Sequence, residues 1–123
     1  MILIDASIWI EYFRWRANGV AFLLRASRVL MHPFVIGEIA LGNVGERAII
    51  MSSLLSIRNV TMATDPEVLA FIDASKLGGS GIGYVDAHLL ASVRLTAGAA
   101  LWTGDKRLAT VAAGLGLAAR FAR

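Results

Sequence analysis

Four acidic residues each close an apolar run: Ile2-Leu3-Ile4-Asp5, Val35-Ile36-Gly37-Glu38, Gly83-Tyr84-Val85-Asp86 and Leu101-Trp102-Thr103-Gly104-Asp105. Carboxylates are among the side chains least often found inside proteins, so four of nine acids placed this way need a reason. Two carboxylates about 4 Å apart repel by about 4 kcal/mol at an effective dielectric of about 20. Summed over a converged quartet, even at longer spacing, the repulsion rivals the roughly 5–15 kcal/mol that stabilises a whole domain. Such a cluster must be protonated or neutralised by cations. An all-oxygen ligand set with hydrated positions suits Mg2+ or Mn2+. That ion can activate water and stabilise charge building on a phosphate. No protein nucleophile is then needed, in keeping with a chain that has no cysteine.

Taken singly, most of these acids have ordinary explanations. Asp5 and Asp105 suit helix caps or turns, and Asp86 suits a helix start through the macrodipole. Glu38 is hardest to explain this way, because it lies inside Phe34-Val35-Ile36-Gly37-Glu38-Ile39-Ala40-Leu41. Ser7 and Thr103 stand two positions from Asp5 and Asp105. They can orient a water or a phosphate, or serve as caps and turn residues. Lys106 and Arg107 follow Asp105 directly and are candidates for holding substrate phosphates, or for plain surface solvation. Arg14 and Arg16, with Arg25 and Arg28, form a possible basic rim on the same terms. His32 and His88 have no partner at zinc-site spacing. Trp9 and Trp102 suit core or dimer packing, whereas Trp15, between Arg14 and Arg16, is more open.

The elements that must carry these residues follow from periodicity and punctuation. Residues 2–5 read as a short buried strand. Ser7 can cap a helix through about Arg16, and a second helix spans about 20–27. Residues 29–31 read as a strand. Pro33 suits the first turn of a helix that bears Glu38 and ends near Gly42. Residues 46–57 look helical, and Asp65-Pro66-Glu67 marks a strong helix start, with Asp65 as cap and the helix ending at Lys76. Gly78-Gly79-Ser80-Gly81 reads as a loop and fits neither phosphate-binding fingerprint. Helices over 85–97 and 105–113 flank a buried strand at 100–103, and 118–121 suggest a last strand. Strands alternating with helices imply an α/β three-layer sandwich with a central, mainly parallel sheet. In such sheets functional groups gather at the carboxyl ends of strands, where Asp5 and Asp105 fall.

Bulk properties set limits. The 123 residues fit one domain. A hydrophobic fraction of 57% and a mean hydropathy of +0.66 argue against disorder. The longest uncharged stretch, 108–119, is too short to cross a bilayer. No basic leader or cleavage site precedes the first strand, which makes the cytoplasm the simplest compartment. So small a domain cannot hide this much apolar surface, so a homodimer or a second protein partner is expected. Setting the four acids aside leaves twelve basic residues against five acidic ones. A basic body around an acidic hole suits a polyanion gripped by its phosphates, although basic residues also keep an oily protein soluble.

With these residues in view, the chain resembles the PIN-domain ribonucleases, and more closely the VapC-type toxins of bacterial toxin–antitoxin pairs. The resemblance is carried by Ile2-Leu3-Ile4-Asp5-Ala6-Ser7, by Pro33-Phe34-Val35-Ile36-Gly37-Glu38, by Gly83-Tyr84-Val85-Asp86-Ala87-His88-Leu89-Leu90-Ala91, and by Leu101-Trp102-Thr103-Gly104-Asp105-Lys106-Arg107-Leu108. It spans essentially the whole chain. It implies a single PIN-like domain over 1–123 and Mg2+- or Mn2+-dependent cleavage of RNA by an activated water. It also implies a homodimer and a small cognate antitoxin that blocks the acidic site. Asp5, Glu38, Asp86 and Asp105 then correspond to the metal-binding and catalytic acids, with Ser7 and Thr103 auxiliary. Gly104 departs from the larger, often basic residue expected before the last Asp, which would loosen the loop and remove one phosphate contact. Two other readings compete. A haloacid-dehalogenase-like phosphatase also opens on a strand ending in Asp, but it normally wants a second Asp where Ser7 stands. A non-catalytic module that only binds RNA or protein is the other.

Overall fold

The computed structural model describes residues 1–121. Three short strands, β1 (Ile2–Ile4), β2 (Val29–Leu30) and β3 (Ala100–Trp102), pair in parallel in the order β2-β1-β3. Ile2 and Leu3 face Val29 and Leu30 on one side, and Ile2, Leu3 and Ile4 face Ala100, Leu101 and Trp102 on the other. Successive strand side chains point to opposite faces, yet Ile2, Leu3 and Ile4 are all buried. Both faces of the sheet are therefore covered, the three-layer arrangement expected of a parallel sheet.

The covering helices are α1 (Ala6–Trp15), α2 (Val20–Arg25), α3 (Pro33–Ala40), α4 (Arg47–Leu55), α5 (Asp65–Ala74), α6 (Tyr84–Leu95) and α7 (Lys106–Gly114). One continuous core joins them. It includes Leu3, Ile4, Leu30, Ile39, Leu89 and Leu108, together with Trp9, which is 1% exposed and stacked on Phe13. A smaller cluster of Ala63, Val68, Ala87 and Ala91 ties α5 to α6. Among the described residues no helix is long and apolar enough to cross a membrane.

The helix starts differ from the sequence reading in instructive ways. Asp5, not Ser7, caps α1, its Oδ1 accepting from the Ala6 N–H at 2.8 Å. Thr64, not Asp65, caps α5, because its hydroxyl oxygen accepts from the Glu67 N–H while the Glu67 carboxylate accepts from the Thr64 N–H. That reciprocal pair satisfies two N–H groups the helix would otherwise leave bare. Asp65 is freed for another use and pairs with His88, Nε2 to Oδ1 2.8 Å. His32 caps α3 by accepting from the Phe34 N–H at its Nδ1, and Pro33 fills the first turn where no donor is needed. At the C-terminal side the expected strand over 118–121 shrinks to a single parallel bridge, Ala118 to Leu101, held by the Ala119 N–H donating to the Leu101 carbonyl.

Candidate active site

The sheet brings together residues nearly a chain length apart. Because β3 lies directly beside β1, the residues that leave their carboxyl ends, Asp5 and Thr103, become neighbours. The Asp5 N–H continues the ladder by donating to the Trp102 carbonyl at 2.9 Å. The Thr103 hydroxyl then donates to Asp5 Oδ2 at 2.7 Å, and the Ser7 hydroxyl donates to the same oxygen at 3.0 Å. Each hydroxyl also accepts one backbone N–H: Ser7 from Gly104 at 3.0 Å and Thr103 from Asp105 at 3.1 Å. A hydroxyl has one proton to give and lone pairs to receive, so both are used in both directions. The result is a closed hydrogen-bonded ring that clamps the loop 103–105 onto the start of α1. Gly104 thus sits in a pinned loop, not a loosened one. A Cβ there would meet Ser7 Oγ at 3.4 Å and Ile8 Cδ1 at 3.5 Å, ordinary van der Waals contacts with the clamp.

Asp5 is 8% exposed, the most buried of the four acids. The other three reach the same edge from helices. Asp105 caps α7, its Oδ1 accepting from the Leu108 N–H. Asp86 lies in the first turn of α6, its Oδ2 accepting from the Gly83 N–H at 3.0 Å. Glu38 projects from the second turn of α3, solvent-exposed as a residue.

Two of the four carboxyls, those of Glu38 and Asp86, feel the charges of the others. The Glu38 carboxyl is raised above its ordinary value by partial burial first, then by the charges of Asp5 and Asp86. The Asp86 carboxyl is also raised, first by burial and then by Asp5 and Asp105, against the lowering pull of the Gly83 N–H. Among the described residues no lysine or arginine forms an ion pair with these acids. The ion pair present among the described residues, His88 with Asp65, lies elsewhere.

A hard divalent cation fits this donor set. Asp5 Oδ2 is filled by two hydroxyl donors, but Oδ1 keeps a lone pair, and Asp86 and Asp105 each keep one oxygen without a hydrogen bond. Among the described residues no three acid, histidine or cysteine side chains stand close enough to enclose an ion by themselves. Mg2+ makes no such demand, since it keeps several waters and is commonly held by one or two carboxylates.

The remaining sequence candidates sit at varied distances from this edge. Lys106 and Arg107 occupy the first turn of α7, next to Asp105. Arg14 and Arg16 lie at the other end of α1, about 13 Å or more along the axis from Asp5 at 1.5 Å per residue. Arg14 lines a groove with Ile10, Phe13 and residues 42–45, and the Arg16 guanidinium lies over the Tyr12 ring. His88 is buried between the edges of Phe34 and Tyr84, and His32 is buried with its pKa pushed down to about 4, chiefly by desolvation. The Asp65–His88 pair, with the Tyr84 hydroxyl also donating to Asp65, had no sequence signal, because its members lie 23 residues apart.

A parallel sheet with candidate groups at its carboxyl edge places this chain among the α/β proteins whose sites lie outside the strand ends. The chain matches the PIN domain family over residues 2–114 and belongs to that family. It is 42% identical over 118 residues to Ribonuclease VapC32 of Mycobacterium tuberculosis strain CDC 1551 / Oshkosh, an alignment covering 96% of this chain and 95% of that protein. The same figures hold for Ribonuclease VapC32 of strain ATCC 25618 / H37Rv.

Proposed function

We propose that this chain is a divalent-metal-dependent endoribonuclease and the toxin of a toxin–antitoxin pair, acting as a single domain over residues 1–123. The observation that carries this reading is the quartet Asp5, Glu38, Asp86 and Asp105, whose fields raise the Glu38 and Asp86 carboxyls and which forms no ion pair with a lysine or arginine among the described residues. Membership of the PIN family and the ribonuclease relatives support it. Of the 123 residues, 122 and 123 lie outside those described.

The division of labour follows from the hydrogen bonds. Asp5, Asp86 and Asp105, with Glu38, would hold Mg2+ or Mn2+. When bound, that ion supplies Lewis-acid stabilisation of the charge growing on the phosphate and makes water a better nucleophile. Ser7 and Thr103 fix the Asp5 carboxylate by donating to Oδ2, which leaves Oδ1 facing its task in one orientation. Glu38 accepts no hydrogen bond from a described residue, and its raised proton affinity suits it to take a proton from the attacking water at a carboxyl oxygen. The basic body guides the polyanion to this edge.

Exposed apolar side chains support a homodimer and a small antitoxin partner: Leu41 is 90% exposed, and Trp15, Leu55, Ile49 and Phe22 are also open. In light scattering the protein at micromolar concentration should run at twice the chain mass, and a monodisperse monomer would remove the dimer from the proposal. The decisive assay is cleavage of total cellular RNA by purified protein. EDTA should abolish it and Mg2+ restore it. Asp86→Asn should lose it while keeping its circular dichroism spectrum. Activity that survives EDTA, or persists in Asp5→Asn and Asp86→Asn, would sink the scheme. A phosphoaspartate trapped at Asp5 would instead revive the phosphatase reading.

A further inference from the structure

Beside the acid cluster runs an open groove of about 590 Å3, lined by Ser80 from the glycine-rich loop and by Asp105, Lys106, Arg107, Thr110 and Val111 of α7 and its cap. Three features of this groove have no structural explanation of their own. Lys106 and Arg107 occupy the first turn of a helix, the end where the macrodipole disfavours cations. Neither forms an ion pair among the described residues. The Ser80 Oγ is buried and makes no hydrogen bond, a costly condition for a hydroxyl unless a ligand meets it.

The loop is shaped around Arg107. Gly81 has φ +86, and a Cβ there would lie 2.6 Å from Arg107 Nη1 and 2.7 Å from its Cδ. The absent side chain lets the guanidinium lie across the loop, where Nη1 donates weakly to the Gly81 carbonyl at 3.4 Å. An anion entering the groove would meet two unpaired cations and a free hydroxyl, with Asp105 marking the end nearest the site.

We propose that this groove seats the backbone phosphate of the RNA nucleotide adjoining the scissile bond, with Lys106, Arg107 and Ser80 as its contacts. The inference rests on the ribonuclease reading and names the path by which the substrate leaves that site. A phosphodiester fits this chemistry better than a neutral ligand, because neither cation is held in an ion pair among the described residues, although Asp105 shares the groove. Arg107 can grip two phosphate oxygens at once, whereas Lys106 acts as a point charge.

The test is binding of a fluorescein-labelled, random-sequence 12-nucleotide single-stranded RNA pool, followed by anisotropy across a salt series with Ca2+ replacing Mg2+ to hold turnover low. Each lost phosphate contact should flatten the slope of log affinity against log salt by about 0.7. Arg107→Ala and Lys106→Ala should each do so and weaken binding about five- to tenfold at low salt, while Arg107→Lys keeps most of the slope. Gly81→Ala should resemble Arg107→Ala by displacing the guanidinium. Arg94→Ala, in the last turn of α6 at the end away from Asp86, should leave the slope at the wild-type value. Wild-type protein that cleaves total RNA while Arg107→Ala and Lys106→Ala both retain the full slope overturns the groove assignment alone. Wild-type protein that neither cleaves nor binds RNA overturns the ribonuclease reading, and this inference with it.

Discussion

Replacing Thr103 with valine tests whether the hydroxyl ring shapes the metal site or merely braces a loop. Valine keeps the shape of threonine and removes the two hydrogen bonds made through Oγ1, to Asp5 at 2.7 Å and from the Asp105 N–H at 3.1 Å. A hydrogen bond to a charged group is worth about 1.5–3 kcal/mol and a neutral one about 1 kcal/mol. Thr103 is only half-buried and the Asp105 N–H is near solvent, so water replaces part of the loss. The net cost should be about 2 kcal/mol. For a chain of this length that is a drop in Tm of roughly 6–8 °C in calorimetry with EDTA present. The functional loss is separate. Asp5 would keep the Ser7 donor but lose the shorter bond that orients it. The Mg2+ concentration for half-maximal RNA cleavage should then rise about 10–100-fold, as when other outer-shell partners of metal ligands are removed. Thr103→Ser retains the hydroxyl and should recover most of both quantities. A Thr103→Val protein with a wild-type Mg2+ requirement refutes the positioning role, even if its melting temperature falls. One that melts within about 1 °C of wild type refutes the ring itself.

Other expectations follow from the same geometry. Glu38 and Asp86 have carboxyls raised in the fold. Their contribution to stability is therefore fully present below the unfolded value, 4.5 for Glu38, and is lost as pH rises through the folded one. Without metal, Glu38→Gln should accordingly melt higher than wild type at pH 7, with the gap closing near pH 4, and Mg2+ should reverse the order at pH 7 by binding the wild type more tightly; a gap independent of pH would count against mutual repulsion. Cleavage by Glu38→Gln should fall about 10²–10⁴-fold if this carboxyl moves the proton, read from single-turnover rates. Thr64→Ala, which opens the capping box of α5, should cost about 1 kcal/mol in urea unfolding with RNA cleavage unchanged. Asp65→Ala should cost about 1 kcal/mol or less, because Asp65 is 74% exposed although its partner His88 is buried.

Much of this architecture was legible because strands and helices leave different periods in a sequence. Ile2-Leu3-Ile4 and Leu101-Trp102 are short apolar runs bounded by turn residues, and each became a strand. The Pro33 and Pro66 starts were readable because proline is tolerated in the first helical turn. The identity of the caps was less so. At Ser7 and Asp5, and at Thr64 and Asp65, two good capping residues stand close together. Which one caps depends on the backbone angles that the preceding strand or loop imposes. The segment 118–121 has the composition of a strand but gains one bridge, since only Leu101 offers it a free edge. The four acids could be picked out singly, but their shared field depends on β3 lying beside β1, a neighbour relation that skips most of the chain. The roles of Ser80 and Gly81 depend on where Arg107 lies and leave no local pattern at all.

The bond from Thr103 to Asp5 spans 98 residues. At a synthesis rate of about 5–20 residues per second, roughly 5–20 s pass between the making of Asp5 and the making of its partner. During that interval Asp5 has neither β3 beside it nor the loop that pins Ser7 and carries Asp105. A growing chain therefore holds its first acid long before it holds a site. For a nuclease made in the company of ribosomes and messenger RNA, this topology is a timer that delays the onset of activity until the 98 residues from Asp5 to Thr103 have been made.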